Sequence, residues 1–217
     1  MFSIFFGDVA FSSYGLATSL IGLIGKSLCG VCARVQCEMA IEKKVIMAKD
    51  GRKVVLRSVR WEDLDDLLEL INSLVEEGAD IVRTEKVTRN EEAEWLGRFL
   101  ARMEKREIIN CAAGVEGKVI ANSEIGKREG PMSHVGGFGI AIKQGYRGIG
   151  IGTRIMQTLI EESKKAGLRM LVLEVFGTNE IAKHLYQKMG FKEAGRIPKG
   201  VYKNGNYVDL IRMTLEL

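Results

Sequence analysis

Ten residues in the second half of the chain have a spacing that could do chemistry: Gln144 to Thr153, reading Gln-Gly-Tyr-Arg-Gly-Ile-Gly-Ile-Gly-Thr. Glycines at 148, 150 and 152 remove the side chains that would hold an anion away from the main chain. An extended run, Val135 to Ile142, precedes the loop, and Ile155, Met156, Leu159 and Ile160 fall on one face of the helical pattern that follows. A strand thus passes through a glycine turn into a helix start. The first N–H groups of a helix have no partner within it, and the helix end carries partial positive charge. The expected ligand is a phosphate or pyrophosphate.

Spacing narrows the choice of phosphate site. A Walker loop needs a lysine after its second glycine, and none follows here; a dinucleotide fingerprint needs glycine at 153, which is Thr153. What remains is Arg147-x-x-Gly150-x-Gly152 between a strand and a helix. It resembles the coenzyme A motif of the GNAT N-acetyltransferases. Downstream, Asn179, Ala182, Leu185-Tyr186 and Met189-Gly190-Phe191 resemble that family's second signature, in the usual order and distance. The likeness runs from about Val135 to the C-terminus, and more weakly back to about Val54.

The resemblance implies acetyl-CoA as co-substrate, with no metal, and transfer of its acetyl group to an amine. It places the main chain of Ile140, Ala141 and Ile142 along the pantetheine arm. Gly148, Ile149, Gly150, Gly152 and Thr153 fall around the pyrophosphate, with Arg147, Ile151, Asn179 and Tyr186 also at the cofactor. Tyr186 is the expected catalytic residue. A phenol titrates near 10 and a thiol near 8.5, so the phenol can protonate the departing thiolate. On helix pattern alone, Tyr186 reads as a packing residue beside Ala182, Leu185 and Met189, and Asn179 as a helix N-cap. Many relatives carry a carboxylate on the strand before the loop, but Val135 to Ile142 contains none. Glu124 on the neighbouring strand and His134 at the start of the loop strand are the candidate bases, with Glu174 a weaker third.

The segment Gly195 to Met213, with Tyr202, Asn204-Gly205, Tyr207, Val208-Asp209 and Met213, resembles the branch acting on amino acids and related small molecules. The expected acceptor is therefore a small amine such as an amino acid, attacked directly in a ternary complex. A protein N-terminus or lysine is the alternative, and a non-catalytic acyl-CoA-binding module a second.

The positioning elements follow from pattern. A strand is expected at Val54 to Arg57. A helix from Trp61 to Glu77 carries its apolar stripe at Leu64, Leu67, Leu68, Ile71, Leu74 and Val75. A second runs from the Thr88/Glu91 capping box to Lys105, with Leu96, Phe99, Leu100 and Met103 inward. Ile108 to Val115 and Lys118 to Ile125 form a hairpin at Glu116-Gly117. After the loop helix come a buried strand from Leu168 to Val175, a short helix from Glu180 to Met189, and strands at Phe191 to Ala194 and Tyr207 to Leu215. The order β-α-α-β-β-β-α-β-α-β-β predicts an α/β (α+β) fold, a mixed, mostly antiparallel sheet flanked by helices. The polar stretch Ala79 to Val87 is the expected acceptor wall.

Composition is that of a globular protein, with 46% hydrophobic and 28% charged residues among 217. The net charge of +4 is spread out, with no basic run of five or more, and says little about nucleic acid, which is not an expected partner. Residues 1–38 stand apart: Phe2 to Gly25 holds only Asp8 as a charge. This stretch reads as a non-native or disordered extension, an anchor or interfacial helix, or a packed element, with the acetyltransferase-like domain over 39–217 opening at Met39. The protein is expected in the cytoplasm, at a membrane only if 1–38 anchors it, and a homodimer is compatible with the sequence. Cys29 and Cys32 form a single C-x-x-C with no second pair, far from His134 and His184, and read against metal binding.

Overall fold

The computed structural model describes residues 41–217. The readings for 1–38, the start at Met39 and the Cys29/Cys32 pair lie outside the described residues. One eight-stranded sheet carries the rest, in the order β1-β2-β3-β4-β5-β6-β8-β7. Its strands are β1 Lys44–Met47, β2 Lys53–Arg57, β3 Ile108–Val115, β4 Lys118–Lys127, β5 Val135–Ile142, β6 Met170–Phe176, β7 Lys192–Lys203 and β8 Asn206–Glu216. Helices α1 Leu64–Glu76 and α2 Arg89–Glu104 cross between β2 and β3; α3 Ile151–Lys165 joins β5 to β6, and α4 Glu180–Lys188 joins β6 to β7. All neighbouring strands are antiparallel except β5 and β6.

The helices cover opposite faces. Ile151, Ile155, Met156 and Leu159 of α3 and Tyr186 of α4 pack on Leu56, Cys111, Ile125, Phe138, Leu171 and Met213 of the sheet. On the other face, Leu64 and Leu67 of α1 and Leu96 and Phe99 of α2 meet Ile108, Ala112 and Val119. Burying a side chain of this size contributes roughly 1.5 to 3 kcal/mol, so these two layers hold the sheet between them. Leu70, not expected in the α1 stripe, is fully buried, whereas Leu68 and Val75 are only half-buried.

Local signals act where their chemistry requires. Thr88 and Glu91 close the start of α2 reciprocally, the Thr88 side chain accepting from the Glu91 N–H and the Glu91 carboxylate accepting from the Thr88 N–H. The two tight hairpins turn through Glu116-Gly117 and Asn204-Gly205, all four residues at positive φ. Two elements differ from expectation. Strand β1 precedes the first expected strand, and β7 extends nine residues past Ala194, running to Lys203 through Pro198 as an edge strand with register shifts.

Candidate active site

The parallel pair β5–β6 is hydrogen-bonded only at Val135↔Met170, Gly136↔Leu171 and Gly137↔Val172. Beyond Gly137 the strands part. β5 continues to Ile142 paired only with β4, in the register Ile140↔Ser123, Ala141↔Asn122 and Ile142↔Ala121. One edge of its main chain from Phe138 to Ile142 is thus left without a strand partner, able to pair with an extended ligand as another strand would.

The glycine loop closes the wide end of this gap. Gly148 and Gly150 lie at φ 75° and 91°, conformations that side chains resist, and Gly150 is the N-cap of α3. No side chain caps that end, whereas α2 and α4 are closed by Thr88 and Asn179. The first N–H groups of α3 thus have no side-chain acceptor. Gly152 is small for a packing reason: a Cβ there would stand 3.1 Å from both Ile142 Cδ1 and Leu185 Cδ2. Ile151 is buried beneath the loop, while Ile149 and Thr153 are half-buried.

The Asp50-Gly51 turn between β1 and β2, expected from sequence, braces the loop, a contact that sequence patterning did not reveal. The Lys49 N–H donates to the Ile149 carbonyl at 3.0 Å, and Arg52 donates to the Gly145 carbonyl at 2.8 Å while lying 4.4 Å from the Tyr146 ring centre. The Arg147 guanidinium is engaged within the protein. It donates to the Ile142 carbonyl at 2.8 Å and pairs with Glu77 at the end of α1, so it ties the loop to β5 and α1.

Tyr186 projects from α4 into the apolar layer, edge-on to Phe138 at 6.0 Å between ring centres and 6.1 Å from Phe191. Burial alone raises its pKa above the ordinary phenol value. Packing and catalysis were alternatives on helix pattern, yet a buried phenol held protonated beside the gap can serve both. Asn179 caps α4, its side chain accepting from the Ala182 N–H at 3.1 Å.

The two expected bases part company. Glu124 lies directly across from Gly139 in the β4–β5 ladder and lines a pocket with Asn122, Ala141, Ile71, Val82 and Arg83. Burial pushes its carboxyl up to about 7, against the opposing pull of Arg102. His134 is exposed at the far, N-terminal end of β5, its carbonyl accepting from Arg169 and Met170, and is not brought to the pocket. Glu174 is occupied by Arg212, which donates to it at 2.6 and 3.0 Å. Cys111 is buried in β3 with its thiol pushed up to about 12. Among the described residues, no group of three or more His, Cys, Asp and Glu side chains is placed to hold a metal ion. No described helix is long and apolar enough to cross a membrane.

The stretch Ala79 to Val87, the expected acceptor wall, is tied at both ends. Lys203 from β7 donates to the carbonyls of Gly78 and Ala79 and to Asp80, and Asn72 of α1 exchanges two hydrogen bonds with the Val87 main chain. Between these ties, Ile81, Val82 and Arg83 face the pocket. Sequence reading delimited this wall without singling out Arg83, Asn122, Gly139 or Lys203, because strand register and a contact spanning more than a hundred residues leave no local signal.

This architecture is that of the N-acetyltransferases. The crystal structure of an N-acetyltransferase from Staphylococcus aureus superposes with a TM-score of 0.68 at 26% identity, over 75% of this chain and 98% of its own. The sequence profile described as the Acetyltransferase (GNAT) family matches residues 66–191. The L-methionine sulfoximine/L-methionine sulfone acetyltransferase of Pseudomonas paraeruginosa is 26% identical over 168 residues, which are 75% of this chain and 94% of that protein. The L-amino acid N-acetyltransferase AaaT of Escherichia coli is 30% identical over 122 residues, 55% of this chain and 73% of the relative. The chain belongs to the acetyltransferase (GNAT) family, and it is an acyltransferase of the acetyl-CoA-dependent kind.

Proposed function

We propose that the enzyme acetylates the amine of a small molecule such as an amino acid by direct attack in a ternary complex. The observation that carries this reading is the gap between β5 and β6, which opens after Gly137 and Val172 at the uncapped start of α3. Its shape fits acetyl-CoA: glycines without side chains at the loop for the diphosphate, and a free strand edge from Phe138 to Ile142 for the amide-bearing arm. Main-chain groups of Gly148, Ile149, Gly150, Ile151, Gly152 and Thr153 would hold the diphosphate, with Arg147 fixing the loop. Ile140, Ala141, Ile142 and Asn179 would hold the arm.

Acetyl-CoA supplies the acetyl group already activated as a thioester. Glu124, titrating near neutrality, takes the proton from the attacking amine, and Tyr186 gives one to the sulfur as the carbon–sulfur bond breaks. Holding both reactants in one gap lowers the barrier further, by up to about 7 to 11 kcal/mol in the best intramolecular reactions. Cys111, buried and hard to ionise, is a poor carrier for an acyl group, which favours direct transfer. The relatives named above act on methionine derivatives and on L-amino acids, and they support the small-molecule acceptor. Initial rates measured against both substrates should give intersecting double-reciprocal lines. Parallel lines, with acetyl retained on the protein in the absence of acceptor, would point instead to a covalent acetyl-enzyme.

A further inference from the structure

We propose that Arg83 is the carboxylate anchor of the acceptor site, and that the acceptor is an α-amino acid with a small, uncharged side chain. The inference rests on the acetyl-transfer reading above and names its substrate class.

The pocket holding Glu124 is bounded by α1, the wall Ala79 to Val87, β4 and β5, and opens to solvent. Its polar lining is a zwitterion in reverse. Glu124 is its one carboxylate, and Arg83 brings the one full positive charge. Arg83 makes no hydrogen bond or ion pair to another described residue, though Glu91 and Glu92 feel its charge at longer range. Asn122, 1% exposed, adds a second donor facing no protein acceptor. Its Oδ1 accepts from Asn110 Nδ2 at 2.7 Å, while its own Nδ2 is buried without a partner. Buried amide donors in native proteins are nearly always paired, so this one points to a ligand oxygen.

An amino acid satisfies all three groups together, its amine toward Glu124 and its carboxylate toward Arg83 and the Asn122 amide. Guanidinium is well suited to that task, since its planar fork matches a carboxylate. Ile71, Ile81 and Val82 complete the lining and would receive an apolar side chain while disfavouring a charged one. The ties from Lys203 and Asn72 hold the wall in place at both ends, so Arg83 is presented before the acceptor arrives.

The test compares acceptors that differ only in the carboxylate, L-valine with isobutylamine and L-leucine with isoamylamine. Thiol release from acetyl-CoA is followed for the wild type, Arg83→Gln and Arg83→Lys. The wild type should prefer each amino acid over its amine by at least about tenfold in kcat/KM. Arg83→Gln should raise KM for the amino acids by about 10- to 100-fold, the range expected for one charge-assisted bond, and change kcat/KM for the amines less than about twofold. Arg83→Lys should recover part of the preference. Arg83 is a half-buried loop residue without an ion pair, so the variants should fold, and unchanged acetyl-CoA affinity confirms it. Equal loss for both members of each pair, or amines acetylated as well as amino acids by the wild type, overturns the role of Arg83 and leaves acetyl transfer standing. No thiol release from any acceptor overturns both.

Discussion

Glu124 and Tyr186 stand on opposite faces of the sheet, on either side of the gap where β5 leaves β6. Ile125 and its ladder partner Phe138 pack in the same apolar layer as Tyr186. Side chains alternate along a strand, so Glu124 projects to the other face, into the pocket covered by α1 and the wall. The carboxylate therefore lies in the pocket and the phenol in the apolar layer, on different faces. In the proposed reaction the amine is served from one face and the sulfur from the other, through the parted strands. Across the ladder Glu124 faces Gly139, which has no side chain to compete for the space.

With its carboxyl pushed up to about 7, Glu124 should give kcat/KM that rises through that pH and levels above it, as more of the base is ionised. Glu124→Gln should erase this inflection and lower kcat by about 10²- to 10⁴-fold. A pH–rate profile of both proteins checks it; an inflection that survives in the variant would assign it to another group.

The same carboxyl makes a stability prediction of opposite sense. Its folded pKa lies above the reference value of 4.5, so the folded protein holds the proton more tightly than the unfolded chain does. Stability from this group is complete below pH 4.5 and is lost as pH rises through about 7, a difference of about 3 kcal/mol between the two limits. Glu124→Gln should therefore match the wild type near pH 4.5 and exceed it at pH 8 in urea unfolding. A variant less stable than the wild type at pH 8 would contradict the desolvation argument.

Tyr186→Phe keeps the ring against Phe138 and Phe191 and removes only the hydroxyl. It should cut kcat by about 10²-fold or more while leaving acetyl-CoA affinity within about twofold. Because burial holds the phenol above its ordinary pKa, the wild type should show no alkaline loss from this group across the usual assay range. Equal kcat in the two proteins would remove Tyr186 from the chemistry.

The strand–glycine loop–helix unit was legible because its signals are local: Val135–Ile142 is the observed strand, and the helix stripe at Ile155, Met156 and Leu159 is buried as read. The capping box at Thr88 and the turns at Glu116-Gly117 and Asn204-Gly205 are local in the same sense. What escaped was relational. β1 is four residues long, with Val45 and Met47 exposed, so it offered no alternation to recognise. The choice between Glu124 and His134 depended on the β4–β5 register, and the engagement of Arg147 on Glu77, seventy residues earlier, depended on how α1 meets the loop. Neither is encoded by spacing within a segment.

The central claim is that the parted strands and the uncapped helix hold a thioester carrier. Calorimetric titration of acetyl-CoA into the full chain and into Gly150→Ala tests it most directly, because alanine at φ 91° strains the loop and puts a methyl at the helix mouth, where Lys49 side-chain carbons lie 3.7 Å away. The account predicts saturable one-to-one binding by the wild type, unaffected by AMP and weakened about tenfold or more in the variant. Equal affinity in both proteins, or binding of AMP in place of acetyl-CoA, would contradict it.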